Sequence, residues 1–298
     1  MNGDGPEIIH GDCIDVMLGM GDNSVDAIVT DPPYGLGFMG KAWDDLPPGQ
    51  DWAEECLRVL KPGGHLLAFG GTRTWHRLAV AVEDAGFEMR DSIAWMHGNG
   101  FPKSRTALKP AFEPIVMARK PFKGSLSANI DAYGTGALCV ESTRTDSGRW
   151  PANVALDESA AELLDNQSGE RPGMASQSDR KASDKFGAGI YSPGLMVQAG
   201  RRDGYNDTGG ASRFMYVAKA SKAERPIIDG VAHATVKPLA LMRWLVRLVT
   251  PTGGTVLDTF AGSGTTVEAC ILEGFHCVAI EREAEYLPLI QQRIERVA

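Results

Sequence analysis

Residues 24–30, Ser-Val-Asp-Ala-Ile-Val-Thr, form a short apolar run that stops on Asp31-Pro32-Pro33-Tyr34. Two successive prolines cannot donate the backbone hydrogen bonds that a central strand requires, so a buried strand has to end there and open into a loop. The chain then alternates. Asp51 to Leu60 has helical spacing (Trp52, Cys56, Leu57, Leu60) and stops at Lys61-Pro62-Gly63-Gly64; His65 to Phe69 reads as a strand and Thr74 to Ala85 as a helix. Strands follow at Ser92 to Met96 and at Glu113 to Ala118. Past Leu239 the pattern resumes with a helix whose apolar face is Leu239, Met242, Leu245, Val246 and Val249, a strand at Thr255 to Leu257, and a helix from Val267 to Glu273. His276 to Ile280 is a further strand, and Glu283 to Val297 an amphipathic last helix. Strands alternating with helices of about 10–15 residues build parallel βαβ units, which predicts an α/β fold with a mostly parallel sheet and helices on both faces.

Between about residues 120 and 225 this pattern dissolves into Gly, Ser, Asp, Asn and Arg, with one strand expected at Arg213 to Val217. The reading divides the chain into a domain of residues 1–120 and 226–298 and an inserted, loop-rich lobe of residues 121–225. The composition, 43% hydrophobic and 23% charged with a mean hydropathy of -0.17, is that of a globular chain. No apolar run reaches the length of about 18 residues that a membrane helix needs. The first residues lack the basic and apolar segments of a signal peptide, and the five cysteines form no CxxC pair, so the expected setting is a reducing cytoplasm. The net charge of -8 is unevenly distributed. Residues 101–125 carry six Lys or Arg against Glu113 alone, and residues 171–225 carry ten against five acids. Such segregation predicts a basic face on an acidic body.

A second segment bears chemistry: Val256-Leu257-Asp258-Thr259-Phe260-Ala261-Gly262-Ser263-Gly264-Thr265-Thr266, a strand, a glycine-rich turn and a helix start. Turns of this kind let a ligand approach the backbone, with helix N–H groups facing it. Glu281 follows the next strand 19 residues after Gly262, where a nucleotide-binding unit places its ribose-binding carboxylate. The third glycine of the dinucleotide pattern is missing, which disfavours a nicotinamide-dependent oxidoreductase, and the GKS or GKT of a P-loop is absent. What remains is a nucleoside-type cofactor without a phosphate, which suits S-adenosylmethionine.

Together these segments resemble the amino-group DNA methyltransferases, in the β-class order with DPPY early, a basic variable segment in the middle and FAGSGTT late. The resemblance extends over Gly11-Asp12-Cys13, Gly40-Lys-Ala-Trp-Asp44, Lys61-Pro-Gly-Gly64, Leu108 to Ile115, Gly148 to Asn153 and His233 to Pro238, and is strongest to bacterial and phage-encoded members. It departs at Ala234 and Thr259, where the family usually has proline. It implies a Rossmann-like S-adenosylmethionine-dependent methyltransferase fold with permuted motif order, and makes residues 121–225 the target-recognition lobe. The implied catalytic residues are Asp31, Pro32, Pro33 and Tyr34. Asp12, Cys13, Asp31, Thr235, Lys237, Asp258, Phe260, Gly262, Ser263, Gly264, Thr265, Thr266 and Glu281 would line the cofactor, with Thr235 and Lys237 near its methionine carboxylate. Trp43, Lys103, Arg105, Lys109, Arg201, Arg202 and Arg213 are candidate DNA contacts. The partner is expected to be double-stranded DNA, with no membrane, no metal and, where the chain self-associates, a homodimer.

The chemistry explains the residue types. An exocyclic amino nitrogen has its lone pair delocalised into the base, and Asp31 with the Pro32 carbonyl can accept its two N–H groups and turn the lone pair outward. The target must then be flipped out of the duplex. Aspartate at the first motif position is commoner among adenine-N6 enzymes and serine among cytosine-N4 enzymes. Adenine N6 is therefore the leading reading, cytosine N4 the second, and an inactive DNA-binding protein of the same fold a third.

Overall fold

The structure is a computed structural model and describes residues 5–37, 44, 47–100, 105, 108–173, 207–218, 226–228, 230–233 and 235–297. In chain order its principal elements are β1 (Glu7–His10), α1 (Cys13–Leu18), β2 (Val25–Thr30), α2 (Gln50–Val59), β3 (Leu60–Phe69), α3 (Trp75–Asp84), β4 (Glu88–Met96) and β5 (Phe112–Arg119). There follow α4 (Leu126–Tyr133), β6 (Val154–Asp157), α5 (Glu158–Ser168), β7 (Tyr216–Ala218), α6 (Leu239–Val249), β8 (Thr255–Asp258), α7 (Thr265–Glu273), β9 (His276–Glu281) and α8 (Leu287–Glu295). The nine strands form one sheet in the order β1-β9-β8-β2-β3-β5-β4-β6-β7. All neighbouring pairs are parallel except the two made by β5, which runs against β3 and β4.

Helices cover both faces, and the period of two along each strand decides which side chains meet them. Leu66 and Ala68 of β3 pack with Ile28 against Met17 of α1, Trp52 and Cys56 of α2 and Leu78 of α3. Leu67 and Phe69 pack with Ala27 and Val29 against Leu241 and Leu245 of α6, Val267 of α7 and Ile290 of α8. All six residues of β2 are buried, as the apolar run before Asp31 requires of a strand at the centre of a parallel sheet. Strand β3 begins earlier than expected, at Leu60. Lys61-Pro62-Gly63-Gly64 lies within it, where the register slips between Val25 opposite Leu60 and Ala27 opposite His65. The Lys61 ammonium then reaches Asp26 at 2.7 Å, and Asp26 also accepts the N–H of Thr255 at 2.8 Å.

The inserted segment differs from a loop-rich lobe. In its described part, β6 extends the sheet beside β4 and β7 lies parallel to β6, with α5 between them in the chain. Strands of four and three residues are too short to show a periodic pattern, and the crossover joining them is long. The strand expected at Arg213 to Val217 begins only at Tyr216, after a 3₁₀ turn over Ala211–Phe214. The last helix likewise opens with a 3₁₀ turn at Ala284–Tyr286 before α8. No helix among the described residues is long and apolar enough to cross a membrane.

Two elements on the α6 side are joined by a buried ion pair. Glu268 of α7 accepts from Arg293 of α8 at 2.5 Å, Arg293 being fully buried, and from Arg296 Nε at 2.7 Å. Removing one member of such a pair strands the other charge away from water. Glu268→Ala is expected to lower the unfolding free energy by about 3–5 kcal/mol in urea titrations. A loss under about 1 kcal/mol would mean that water reaches Arg293.

Candidate active site

Five parallel strands, β1, β9, β8, β2 and β3, lie side by side and end on the same edge of the sheet. At the centre the chain leaves β8 through α7 to β9 on one side, and leaves β2 through α2 to β3 on the other. Neighbouring strands whose connections depart in opposite directions leave a crevice outside their carboxyl ends. The sequence-predicted residues fall along this edge: Asp12 after β1, Glu281 ending β9, Asp258 to Gly264 after β8, and Asp31 to Tyr34 after β2. The two central strands are tied where the crevice opens. The Thr30 hydroxyl donates to Asp258 Oδ1 at 2.7 Å and lies 3.2 Å from the Thr259 hydroxyl, which also accepts from Trp52 Nε1 at 3.2 Å. Thr259, a departure from the family pattern, thus has a definite partner in α2.

The loop after β2 is fixed from beneath. Asp44, buried, accepts the N–H groups of Tyr34 at 2.6 Å, Gly35 at 3.0 Å and Leu36 at 3.2 Å. The Thr74 hydroxyl donates to the Tyr34 carbonyl at 2.6 Å. A side chain on Gly71 would bring a Cβ within 3.2 Å of the Tyr34 ring, so glycine at the end of β3 makes room for that ring. Tyr34 is thereby held with its hydroxyl 3.0 Å from Asp31 Oδ1 and 2.9 Å from Glu113 Oε2. Burial, and then the carboxylates of Asp31 and Glu113, push the phenol well above the ordinary tyrosine range, so it stays protonated and donates.

Lys237, expected near a cofactor carboxylate, makes its contacts with the residues around Asp31. Its ammonium sits 2.5 Å from Asp31 Oδ2 and 3.4 Å from Glu113 Oε2, between the rings of Phe69 and Tyr34 at 4.8 and 5.3 Å. Burial works against that charge, but the two carboxylates outweigh it and hold the ammonium above the ordinary lysine range. The sequence reading did not include Glu113 or Asp44 among the site residues. Glu113 stands alone among lysines and arginines in the sequence and reads as a surface acid. It reaches the edge because β5 runs antiparallel, which brings the beginning of that strand to the level where its neighbours end.

The glycine turn is compact. Gly262 and Gly264 have φ of +53° and +80°, and a Cβ there would lie 3.1 Å from the His233 ring and 3.0 Å from the Ile290 backbone. Glu281 braces the turn, accepting from Gly262 N–H and Glu283 N–H, each at 2.7 Å. Burial pushes its carboxyl up to about 7 despite these two donors. Asp258, with its carboxylate engaged by Thr30, the Phe260 N–H and Thr266, is pushed by burial up to about 6. Asp258 thereby helps to build the turn. Ser263, Thr265 and Thr266 are buried beside it, and the Phe260 ring leans on Trp52 with centroids 6.0 Å apart.

The remaining candidates divide. Asp12 caps α1 by accepting from Ile14 N–H at 3.0 Å. The Cys13 thiol packs into the core beside Cys56, and burial pushes it up to about 12, so its side chain faces the interior. Thr235 is exposed, its carbonyl 2.8 Å from His233 Nδ1. Arg213, a candidate DNA contact, pairs with Asp207 and donates to the carbonyls of Gly209 and Gly210, against the Phe214 ring. Lys109 is exposed and donates to the Gly98 carbonyl at 2.7 Å, and Arg105 is exposed. Trp43, Lys103, Arg201 and Arg202 lie outside the described residues.

The family model described as DNA methylase, for N6 and N4 enzymes, matches residues 25–292. The chain belongs to this DNA methylase family. The methylase is 24% identical over 296 residues to the type II methyltransferase M.HpaI of Haemophilus parainfluenzae, covering 97% of this chain and 74% of that protein. Its fold is shared with the crystal structure of the M1.HpyAVI–SAM complex, at a TM-score of 0.52 and 19% identity, with 97% and 98% of the two chains covered. It is shared also with the cytosine-N4-specific PvuII DNA methyltransferase, at a TM-score of 0.53 and 15% identity, with 99% and 90% covered.

The two raised carboxyls set a pH dependence. A carboxyl that binds its proton more tightly when folded contributes fully below its unfolded value and loses that contribution as pH rises through the folded one. For Glu281 this window runs from its usual 4.5 to about 7. Glu281→Gln removes that part of the slope. By calorimetry the melting temperature of the variant should fall less between pH 5 and 8 than that of the wild type, by about a few degrees. Parallel curves would place the pH dependence in other groups.

Proposed function

We propose that this methylase transfers a methyl group to the exocyclic N6 of adenine in double-stranded DNA, acting on a base flipped out of the helix. The single observation that carries the reading is the Asp31 carboxylate, paired with Lys237, at the carboxyl end of β2 beside Tyr34 and across the crevice opening from the glycine turn. Aspartate rather than serine at this position favours adenine over cytosine.

The methyl donor is S-adenosylmethionine. The residues at the edge suit it. The described strand ends present Asp12, Asp31 and Glu281 and a tight glycine turn, an acidic rim that accommodates a sulfonium cation and a ribose but repels a pyrophosphate. Glu281 would hold the ribose hydroxyls, since each of its oxygens keeps a lone pair beyond the one its backbone donor uses. Asp12 would reach the adenine, and the backbone from Phe260 to Gly264 would border the methionine portion. The bound cofactor supplies an electrophilic methyl group on a positively charged sulfur.

The chain's own residues do the rest. Asp31 accepts one amino N–H of the target base and the Pro32 carbonyl accepts the other, which draws the nitrogen toward a tetrahedral shape with its lone pair exposed. Pro32 and Pro33 restrict the backbone that presents this carbonyl. Tyr34, its hydroxyl anchored, offers a ring for the base to stack on. Catalysis in this arrangement is mainly orientation and charge placement. Residues 1–120 and 226–298 make up the catalytic domain in this reading, and residues 121–225 supply target recognition. The exposed Arg105 and Lys109 would contact phosphate.

The test is to incubate the protein with duplex DNA from a methylation-free host and S-adenosylmethionine, digest to nucleosides and identify the product by mass spectrometry. N6-methyladenine is expected, and Asp31→Ala should reduce its rate at least about 10³-fold while cofactor binding persists. N4-methylcytosine would replace the base assignment, and no methylated product would overturn the reading.

A further inference from the structure

Asp31, Tyr34, Glu113 and Lys237 come from three separate stretches of chain and meet around one phenol hydroxyl. Both oxygens of Asp31 are engaged, Oδ2 by Lys237 at 2.5 Å and Oδ1 by Tyr34 at 3.0 Å. Each oxygen of a carboxylate held in this way keeps one lone pair, but neither can be turned toward an incoming amino group without loosening the bond it already accepts. Yet each of its donors has an alternative acceptor in place. Glu113 Oε2 lies 2.9 Å from the Tyr34 hydroxyl and 3.4 Å from the Lys237 ammonium. The hydroxyl has one hydrogen for two carboxylates, whereas the ammonium has three.

We infer that Glu113 is a positioning residue that takes over the Tyr34 hydroxyl and the Lys237 ammonium when the target base engages Asp31. The inference rests on the reading of Asp31 as the acceptor for the base's amino group. The exchange is one of hydrogen bonds only. No covalent bond changes, no proton is transferred, and Lys237 remains an ammonium. With Glu113 in place, Asp31 can turn an oxygen toward the base without leaving a buried cation unpaired, which would be costly. Lys237 has only 8% of its side chain exposed, so water cannot serve as that second partner.

Three further groups face this cluster. Phe69, from β3, bounds Lys237 with its ring, and Asp258, from β8, adds negative charge near Asp31. His97, following β4, has Nε2 3.9 Å from Glu113 Oε1, and its ring stacks on Trp95 with centroids 4.6 Å apart.

The experiment compares Glu113→Gln, Glu113→Asp and Lys237→Met with the wild type in steady-state methylation of methylation-free duplex DNA with tritiated S-adenosylmethionine. Glu113→Gln keeps shape but removes the charge that draws Lys237 off Asp31. Its kcat should fall on the order of 10–100-fold, while the KM for S-adenosylmethionine stays within about threefold. Glu113→Asp should recover part of kcat. In Lys237→Met the cation is gone, so adding Glu113→Gln should change kcat by no more than about threefold. Melting temperatures show that the variants are folded. Wild-type kcat in a folded Glu113→Gln, or an equal loss of kcat from Glu113→Gln with and without Lys237, overturns the inference while the functional reading stands. A wild-type protein that makes no methylated nucleoside overturns both.

Discussion

The structure depends on one junction, the adjacency of β2 and β8 at the centre of a parallel sheet. Their connections leave in opposite directions, so no helix can close over their carboxyl ends. The gap is held at a fixed width by a hydroxyl–carboxylate bond, Thr30 to Asp258, reinforced by Thr259 and Trp52. The two motif segments are arranged around that gap: the proline-stiffened stretch after β2 on one side, the glycine turn on the other. The stretch of residues 31–37 has no regular secondary structure, and Asp44 supplies the acceptors that a strand neighbour would otherwise provide. It can therefore be irregular and rigid at once.

The same edge concentrates buried acid. Asp258 and Glu281 are both raised by burial and both hold backbone in place, while Asp31 and Glu113 share a single buried cation. A protein that only needed stability would place apolar residues here. Electrostatic preorganisation supplies the reason to keep them, because the surrounding structure has already met the cost of orienting these dipoles before any ligand arrives.

Much of this was legible in the sequence. The apolar run stopping on Asp31-Pro32-Pro33, and the spacing from Gly262 to Glu281, identify strand ends, and strand ends are where such a sheet carries its ligands. Residues whose placement depends on non-local pairing were illegible. Glu113 has no local signature, and only the antiparallel course of β5 brings it to the edge. Lys237 could be read as lying near the crevice, but its partner is 206 residues away. Strands β6 and β7 are too brief to reveal a period, so an extension of the sheet read as loop. The pairing of Arg213 with Asp207 was illegible because Asp207 lies in a stretch without pattern.

Strand order also has a consequence for how the molecule is made. Strand β1 pairs only with β9, Glu7 lying opposite Val278, and β2 meets β8 through Ala27 and Val256. As the chain emerges from the ribosome, β2 and β3 can pair early, but β1 has no neighbour until β9 arrives, and β2 keeps one side open until β8 is available. The sheet then closes by inserting a late hairpin-sized unit, β8-α7-β9, between two waiting edges. That long-range closure is slow by its topology, and until it happens the nascent chain exposes two apolar strand edges to any other chain nearby. The step that completes the crevice is thus also the step that ends the period of greatest exposure to aggregation, so the assembly of the site and the safety of the fold are decided in one event.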